Sequence, residues 1–313
     1  MKWVMSVSLG DPARDHSAEV SAAGERVLVE RRGTGGDIRR AQDIIRRYDG
    51  RVDAFGLGGV NLYYRAGASR YRIREGWVLR EYARSSPVAD GAFVKEYIEP
   101  SIVDELQRCG VRFHGRKALV ASALDRWDLA AALERAGCEV GVCDAALALR
   151  LPFVFNGLRR FAVAARVTMP VLRHVPLRYL YPSRIQPGRR VETAGLRRGP
   201  DFSGADVLAG DSYMLWRAMP LDLRGKTVVL STATQAEIDE ALARGAAFVA
   251  TTSPGIDGRS YGANVLEALI SALDGRPPER IPRRQYLEMW ERLGLRFRVE
   301  RGEALAGCAG WPC

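Results

Sequence analysis

The sequence predicts an α/β protein in two parts: a doubly wound, mostly parallel sheet in residues 113–313 and a mixed α/β (α+β) domain in residues 1–112. After residue 113, short and almost wholly apolar segments alternate with helical patterns, as in a parallel sheet that helices cover on both faces. Before residue 113, several segments alternate polar with apolar residues and are joined by glycine turns, as in hairpins. A length of 313 residues suits two domains of ordinary size.

The N-terminal domain begins with an apolar strand and continues with hairpins and helices. The helix expected at 35–50 places Ile38, Ala41, Ile44 and Ile45 on one face and ends at Gly50. The glycine-rich "GLGG" at 56–59 has no helix behind it, so a tight turn that requires positive φ explains it better than a phosphate loop does. The other predicted elements are a strand at 2–10, a hairpin at 18–33, a strand at 52–59, a hairpin at 62–76 and a helix at 91–110 that breaks near Pro100.

The second domain repeats strand and helix regularly, and right-handed crossovers are expected from that topology. Strands are predicted at 117–124, 139–144, 205–211, 226–232 and 246–253. Helices are predicted at 126–137, across 145–172, and at 234–245, 264–275 and 283–294. The last helix carries apolar residues that would pack on a domain of the same chain or on a second subunit of a homo-oligomer, with packing inside the chain expected.

Composition argues against several classes of protein. The net charge is +10, but only four of the 47 basic residues are lysine and the arginines are spread along the chain, so the patch at 189–199 is expected to be a solvated loop rather than a nucleic-acid site. No apolar run reaches the roughly 18 residues that cross a membrane, and the N-terminus lacks the layout of a signal peptide. The sequence therefore predicts a cytoplasmic protein without a membrane or nucleic-acid partner. The five cysteines and three histidines have no metal-ligand spacing, so no metal site is expected.

Ligands of an open parallel sheet lie at the carboxyl ends of its strands. Ser122 and Asp125 follow the first strand, Asp144 the second, and Thr232 and Thr234 the fourth, so these five residues are the predicted cofactor-binding residues. Asp144 stands where an NAD-binding domain has its ribose-binding acid. The turn "SALDRWD" lacks the glycines of a dinucleotide fingerprint, however, and each of these side chains could equally cap a helix.

Lys95 is a rare lysine in a chain that uses arginine almost everywhere. It lies near the junction of the two domains, five residues after Asp90. Burial can lower the pKa of a lysine into the range of proton transfer, which arginine cannot match. Lys95 and Asp90 are therefore the predicted catalytic pair. The alternative is a surface lysine that pairs with Glu96 or Glu99.

Several segments together resemble bacterial proteins labelled quinate 5-dehydrogenase. These segments are "SVSLGDPARDH", "GGDIRRAQDII", "GRVDAFGLGGVNLYY", "VADGAFVKEYIE", "DLRGKTVVLSTATQAEIDEALARGA" and "GRSYGANVLEALISALDGRPP", and they span nearly the whole chain. The resemblance implies NAD(P)-linked oxidation of a cyclic polyol acid by a lysine–aspartate pair. It also assigns Ser6 and Ser8 to the substrate, because they are similar in type to the serine pair that holds the carboxylate in shikimate-type dehydrogenases. Arg14, or an arginine of the 184–198 loop, would hold that carboxylate, and Asn264 is assigned to the substrate with them.

The leading hypothesis is thus an oxidoreductase that uses NAD or NADP and a small hydroxylated, quinate-like carboxylic acid. One alternative is another Rossmann-like enzyme that uses a nucleotide or an S-adenosyl ligand. The other is a non-catalytic ligand-binding protein. The expected partner of the enzyme is a small-molecule substrate, whereas a non-catalytic interaction protein would use the arginine-rich loop as its contact surface.

Overall fold

The computed structural model describes residues 1–176, 179, 200–256 and 259–302 and arranges them around two β-sheets. The arginine-rich patch at 189–199 and the 184–198 loop, for which the sequence made predictions, lie outside the described residues.

The first sheet is formed by the N-terminal part of the chain. The elements of this part of the chain are β1 (Lys2–Ser8), β2 (His16–Ala22), β3 (Glu25–Gly33), α1 (Ile38–Tyr48), β4 (Ala54–Gly58), β5 (Tyr63–Ala66), β6 (Ser69–Arg72), α2 (Arg74–Arg80) and β7 (Val88–Ala89). Strands β5 and β6 pair with each other in a separate hairpin. The strand order is β2-β3-β1-β4-β7; β1 runs parallel to β3 and β4, and β2 is antiparallel to β3. This mixed sheet confirms the predicted class of the N-terminal part. The predicted turn glycine Gly59 has φ +75°.

Two short helices connect the sheets. They are α3 (Ala92–Tyr97) and α4 (Ser101–Arg108), and the break between them falls at Pro100, where it was predicted. Proline ends a helix here because it lacks the backbone N–H that would continue the hydrogen-bond ladder.

The second sheet has seven strands among the described residues, in the order β10-β9-β8-β11-β12-β13-β16. Its strands and helices are β8 (Lys117–Ala121), α5 (Trp127–Arg135), β9 (Glu139–Val142), α6 (Asp144–Leu149), β10 (Phe155–Asn156), α7 (Leu158–Leu172), β11 (Val207–Gly210), α8 (Ser212–Ala218), β12 (Thr227–Leu230), α9 (Gln235–Ala243), β13 (Phe248–Thr251) and β16 (Arg298–Arg301). The five central strands are parallel and the two edge strands are antiparallel. The predicted doubly wound, mostly parallel sheet is confirmed.

Some elements differ from the prediction. The helical region expected across 145–172 is two helices with the edge strand β10 between them. Helix α8 follows the third predicted strand, where no helix was predicted. Two residues, as in β10, are too few to show an alternating pattern. The edge strand β16 reads "RVER" and is also missed, because charged edge strands lack the apolar signal of a buried strand.

The chain returns to the first sheet near its end. After the short strands β14 (Gly255–Ile256) and β15 (Arg259–Ser260) come α10 (Ala263–Asp274) and α11 (Arg283–Arg292). Helix α10 packs on β1 and β4 of the first sheet and on α3. In α11, Tyr286 is fully buried against Phe93 and Tyr97 of α3, so this helix packs within the chain as expected.

Within the described part of the chain, no helix combines the length and the apolar character that crossing a membrane requires.

Candidate functional site

The strand order of the second sheet locates the candidate site. When the strands are numbered along the chain from β8, their order across the sheet from β10 to β13 is 3-2-1-4-5-6. This is the strand order of dinucleotide-binding sheets. The order reverses between β8 and β11, and ligands of such sheets bind at the carboxyl ends of the strands beside the reversal. The carboxyl end of β8 continues into the turn 122–126, and α5 behind that turn packs against α3.

Lys95 and Asp125 form the centre of the site. Lys95 Nζ donates a hydrogen bond of 2.7 Å to Asp125 Oδ1, and the two side chains are only 10% and 3% exposed. The Asn61 amide donates to the same oxygen. Lys95 lies on α3 and Asp125 in the turn after β8, so this buried ion pair connects the two parts of the chain.

A small polar pocket opens beside this ion pair. Its volume is about 30 Å³, which is room for about one water molecule. Arg65 lines the pocket and forms ion pairs with Glu96, at 3.0 Å, and with Asp128, at 2.9 Å. Burial raises the pKa of Asp128 to about 6, against the attraction of Arg65. A molecule the size of a six-carbon acid can enter only if this cleft opens.

Asp90 is buried beside the pair but does not contact Lys95 as its ion-pair partner. One carboxylate oxygen accepts the backbone N–H of Leu62 at 2.6 Å, and the other accepts that of Ala92 at 3.1 Å. Burial raises the pKa of Asp90, and the nearby charge of Lys95 opposes that rise. Asp90 therefore fixes the start of α3, the helix that carries Lys95.

Glu267 of α10 holds the same helix from the other side. Its carboxylate accepts the backbone N–H groups of Gly91 at 3.2 Å, Phe93 at 2.7 Å and Val94 at 3.2 Å. Burial, followed by the charge of Asp90, raises the pKa of Glu267 to about 8. Two buried carboxyl groups thus surround the first turn of the helix that positions Lys95.

The turn after β8 is occupied by a side chain of the protein itself. Asp144 Oδ2 accepts the backbone N–H of Ala123 at 2.7 Å, and Oδ1 accepts that of Leu124 at 3.1 Å. Burial raises the pKa of Asp144 to about 6. Ser122 adopts φ +62° with a fully buried hydroxyl that finds no hydrogen-bond partner among the described residues. The backbone N–H groups of Ala123 and Leu124 are therefore already bound to a carboxylate.

The next two helices at this edge are also capped by the chain. Asp211 accepts the Met214 N–H at the start of α8, and Thr234 caps α9 in a capping box with Glu237. The Thr232 backbone N–H donates to Ser212 Oγ at 3.0 Å. At the starts of these helices, N–H groups that could bind phosphate instead contact oxygens of the protein.

Of the four residues assigned to the substrate, two lie together near the start of α3. Asn264 Nδ2 donates to Ser6 Oγ at 3.2 Å. Asn264 also lies so close to Gly91 that a Cβ added at Gly91 would be 2.7 Å from its backbone N. Gly91, with φ +86°, precedes α3, so only glycine allows this approach.

The other two substrate residues have different neighbours. Ser8 Oγ accepts the Gly10 N–H at 3.1 Å and an N–H of Arg31 at 3.0 Å. Arg14 donates to the hydroxyl of Tyr213 in α8, so it bridges the two parts of the chain. Among the described residues, no group of three or more His, Cys, Asp or Glu side chains could hold a metal ion.

Family models match almost the whole chain. Residues 93–302 match a domain of unknown function, DUF8754. The chain belongs to the DUF8754 family. Residues 3–90 match a second domain of unknown function, DUF8753. No curated protein matches the sequence.

The solved structures that match this DUF8754 protein have low sequence identity and low structural similarity to it. The shikimate 5-dehydrogenase of Thermus thermophilus, in complex with shikimate, is 17% identical over 94% of this chain and 100% of that chain, with a TM-score of 0.37. The NAD-dependent malic enzyme of Thermotoga maritima is 14% identical over 93% of this chain and 84% of that chain, also at 0.37. The shikimate dehydrogenase of Aquifex aeolicus is 9% identical over 92% and 97% of the chains, at 0.38. Similarities of this size carry no information about activity.

Sequence reasoning missed three residues in and around the candidate site. Asn61 gave no signal, because a single asparagine after a glycine turn is common. Glu267 could have been found, because it is the one acidic residue in the apolar run "ANVLEALISAL". Arg126 forms a buried ion pair with Glu99, which also accepts the Thr252 hydroxyl at 3.1 Å; the pattern shows the charges but not their distant partners.

Proposed function

We propose that the chain is an oxidoreductase that uses NAD or NADP to oxidise a small hydroxylated, quinate-like carboxylic acid, with Lys95 receiving the hydroxyl proton. The observation that carries the proposal is the buried Lys95–Asp125 pair at the carboxyl end of β8, beside the reversal of strand order. The proposal includes a small-molecule partner and a cytoplasmic location, and it leaves the oligomeric state open.

The position of Lys95 suits proton transfer. Its ammonium contacts one carboxylate, Asp125, and the electrostatic field of a second, Asp90, reaches it. Lys95 accepts the proton of a substrate hydroxyl only after its ammonium has released one of its own protons to water in the adjacent pocket. Asp125, at 2.7 Å, then stabilises the ammonium that forms again. Asn61 fixes the orientation of Asp125, so the pair is positioned before substrate enters.

The proposed substrate lies between this pair and the end of β1. Ser6 and Asn264 offer a hydroxyl and an amide next to the start of α3, and these groups suit the hydroxyls of a polyol acid. Ser8 and Arg14 would reach the carboxylate only from the outer end of the cleft, where Arg14 now contacts Tyr213. The pocket of about 30 Å³ must widen for the acid to bind.

The dinucleotide does not fit the turn after β8 in its present arrangement. Asp144 occupies the N–H groups of Ala123 and Leu124, and a diphosphate there would meet a carboxylate. We therefore assign no residue of this turn to the cofactor and derive no step through it. The assignment of Ser122, Asp125 and Asp144 to the cofactor stays a prediction that this proposal does not use, as does that of Thr232 and Thr234.

The same observation favours a second candidate, a ligand-binding protein without redox activity. Carboxylates of the chain bind N–H groups at the β8 turn, at the start of α8 and at the start of α9. A protein whose own carboxylates bind these N–H groups could bind an acid in the cleft without any dinucleotide.

One experiment separates the two candidates. The purified protein is incubated with quinate or shikimate and with NAD or NADP, and reduced nicotinamide is followed by its absorbance. We expect turnover in the wild type and a loss of about 10²–10⁴-fold in kcat for Lys95→Met, the usual contribution of one general acid–base group. Lys117→Met, at an exposed lysine that begins β8, is the matched control and keeps full activity.

A folding control is required because Lys95→Met leaves Asp125 buried without its cation, which costs about 3–5 kcal/mol. The double variant Lys95→Met/Asp125→Asn removes both charges. If this folded variant turns over at the wild-type rate, Lys95 is not the proton acceptor. If the wild type binds the acid in a thermal-shift assay but never reduces a nicotinamide, the second candidate replaces the first.

A further inference from the structure

A second cavity lies next to the small pocket beside Lys95. Helices α6 and α7, the strand β10 and the hairpin strand β5 enclose a volume of about 120 Å³. Tyr64 and Leu124 line both this apolar cavity and the small pocket beside Lys95. The apolar cavity takes no part in the proposed reaction.

Small side chains on two helices create this space. Ala145 and Ala148 of α6 and Ala164 and Ala165 of α7 line the cavity. Alanine fills little of the gap between the two helices, and the aromatic rings of Phe155 and Phe161, with centroids 5.4 Å apart, line the same cavity. Well-packed cores contain few voids larger than a water molecule, so a cavity of this size is unusual.

The cavity opens to solvent through an apolar rim. Leu149, Leu151 and Phe153 line it and are 38%, 39% and 43% exposed. Leu149 ends α6, and Leu151 and Phe153 lie between α6 and β10. These three large apolar side chains are exposed together at the opening of the cavity. Clusters of exposed apolar groups around a concavity are typical of ligand-binding sites.

The lining also defines the chemistry of the ligand. Only three of the seventeen lining residues, Tyr64, Asp144 and Thr168, carry a polar side chain. Both oxygens of Asp144 accept N–H groups of the β8 turn, and Thr168 Oγ1 donates to the Ala164 carbonyl at 2.9 Å. A nucleobase or a sugar would lose most of its hydrogen bonds here, which is costly for a buried polar group.

We propose that this apolar cavity is a binding site for a small, neutral, apolar group, such as a benzene-sized ring or a short alkyl chain. An apolar cavity of roughly 150 Å³ in another protein stays dry and binds benzene, and the volume here is similar. The inference rests on the cavity itself and does not depend on the proposed oxidoreductase activity.

The test measures binding of benzene and toluene to the full-length protein by thermal shift and by ligand-observed NMR. At ten times its Kd, a ligand that binds only the folded state multiplies the folding equilibrium constant by about 11. We expect both apolar ligands to raise the Tm of the wild type, and uracil, a polar six-membered ring of comparable size, to leave it unchanged.

Matched variants locate the binding. Ala165→Phe fills the cavity from the buried face of α7 and abolishes the Tm rise, whereas Val167→Phe adds a ring on the exposed face of the same helix and preserves it. If Ala165→Phe does not fold, Ala148→Leu fills the cavity from α6. The proposal is wrong if neither apolar ligand raises the wild-type Tm, or if both cavity-filling variants still bind as the wild type does. Uracil binding that Ala165→Phe or Ala148→Leu abolishes would make this a nucleobase site instead.

Discussion

Asp144 places a carboxylate against two backbone N–H groups of the turn after β8. Its two oxygens bind adjacent backbone N–H groups, at 2.7 and 3.1 Å, in the way that a diphosphate oxygen binds a dinucleotide turn. The residue is buried, so its carboxylate is not shielded by water. Any anion that approaches this turn must displace Asp144 or find it protonated.

This competition predicts the effect of removing the carboxylate. Asp144→Ala frees both N–H groups and removes a charge, and we expect it to strengthen the binding of ADP-ribose about tenfold, or about 1.4 kcal/mol. Isothermal titration calorimetry measures the change. Asp43→Ala removes an exposed carboxylate on α1 and serves as the control for net charge. Equal affinities of the wild type and Asp144→Ala would mean that the turn is not an anion site.

The affinity also depends on pH, with a sign that follows from the raised pKa. Because the pKa of Asp144 is about 6, its carboxylate is ionised at pH 7.5 and largely protonated at pH 5. Wild-type affinity for ADP-ribose is therefore expected to rise as the pH falls through 6, and that of Asp144→Ala to stay level over the same interval. A wild-type affinity that is flat or falls on acidification contradicts this expectation.

At the scale of single residues, the sequence could predict chemistry better than partners. Lys95 stood out because lysine is rare in this chain, and it is indeed buried. Its contact with Asp125, thirty positions later, depends on how two parts of the chain pack, which no local pattern contains. Asp90 and Asp144 were singled out as acids, but their backbone partners, such as Leu62 and Ala123, follow from the turns of the fold.

At the scale of elements, helix α3 depends for its stability on contacts with other parts of the chain. It has six residues, which is too short to be stable alone. No side chain of its own N-cap, Gly91, can cap it; Glu267 of a distant helix and Asp90 bind its first N–H groups instead. The position of Lys95 thus depends on tertiary contacts.

Glu267 therefore gives stability a defined pH dependence. Its pKa is about 8 in the folded protein and near 4.5 when unfolded. As the pH rises from 4.5 to 8, the unfolded chain releases this proton and the folded chain keeps it, so the free energy of unfolding falls, by at most about 1.4 kcal/mol per pH unit. Above pH 8 this contribution is constant.

Urea unfolding of the wild type and Glu267→Gln at several pH values checks this. The difference in the free energy of unfolding, wild type minus variant, is expected to decrease between pH 4.5 and 8. A lost hydrogen bond in the variant adds only a constant offset. Glu25→Gln, at an exposed position, should give a curve parallel to the wild type. Parallel curves for Glu267→Gln as well would mean that Glu267 titrates normally.

Among the elements, those with a strong periodic pattern could be predicted and the edges could not. The central strands of the second sheet are continuous apolar runs, such as β12 with four buried residues, and all five were predicted. The edge strands β10 and β16 were missed, since one is two residues long and the other is charged. Helix α10 was predicted as a helix, but its apolar pattern could not show which sheet it covers.

At the scale of the whole molecule, α10 makes the first sheet depend on the end of the chain. Leu266, Leu269 and Ile270 are at most 1% exposed and share one apolar cluster with Val4 and Val27 of the first sheet. Burying such side chains stabilises a fold by about 2 kcal/mol each, so α10 contributes an amount comparable with the total stability of a small domain. The division proposed at residue 112 separates the two sheets, whereas the family models meet between residues 90 and 93.

We therefore expect the fragment 1–112 not to fold alone. Without α10 it exposes one face of its sheet and loses Glu267, which holds α3 and with it Lys95. Circular dichroism and urea titration should show no cooperative unfolding transition for this fragment. A second fragment, in which residues 259–296 are joined to residues 1–112 by a glycine–serine linker, should regain the transition because it restores α10 and α11. A cooperative transition in the fragment 1–112 alone would mean that the first sheet is an independent domain. Its failure to fold, with rescue by the joined segment, would mean that the two ends of the chain fold together and hold the helix of Lys95 between them.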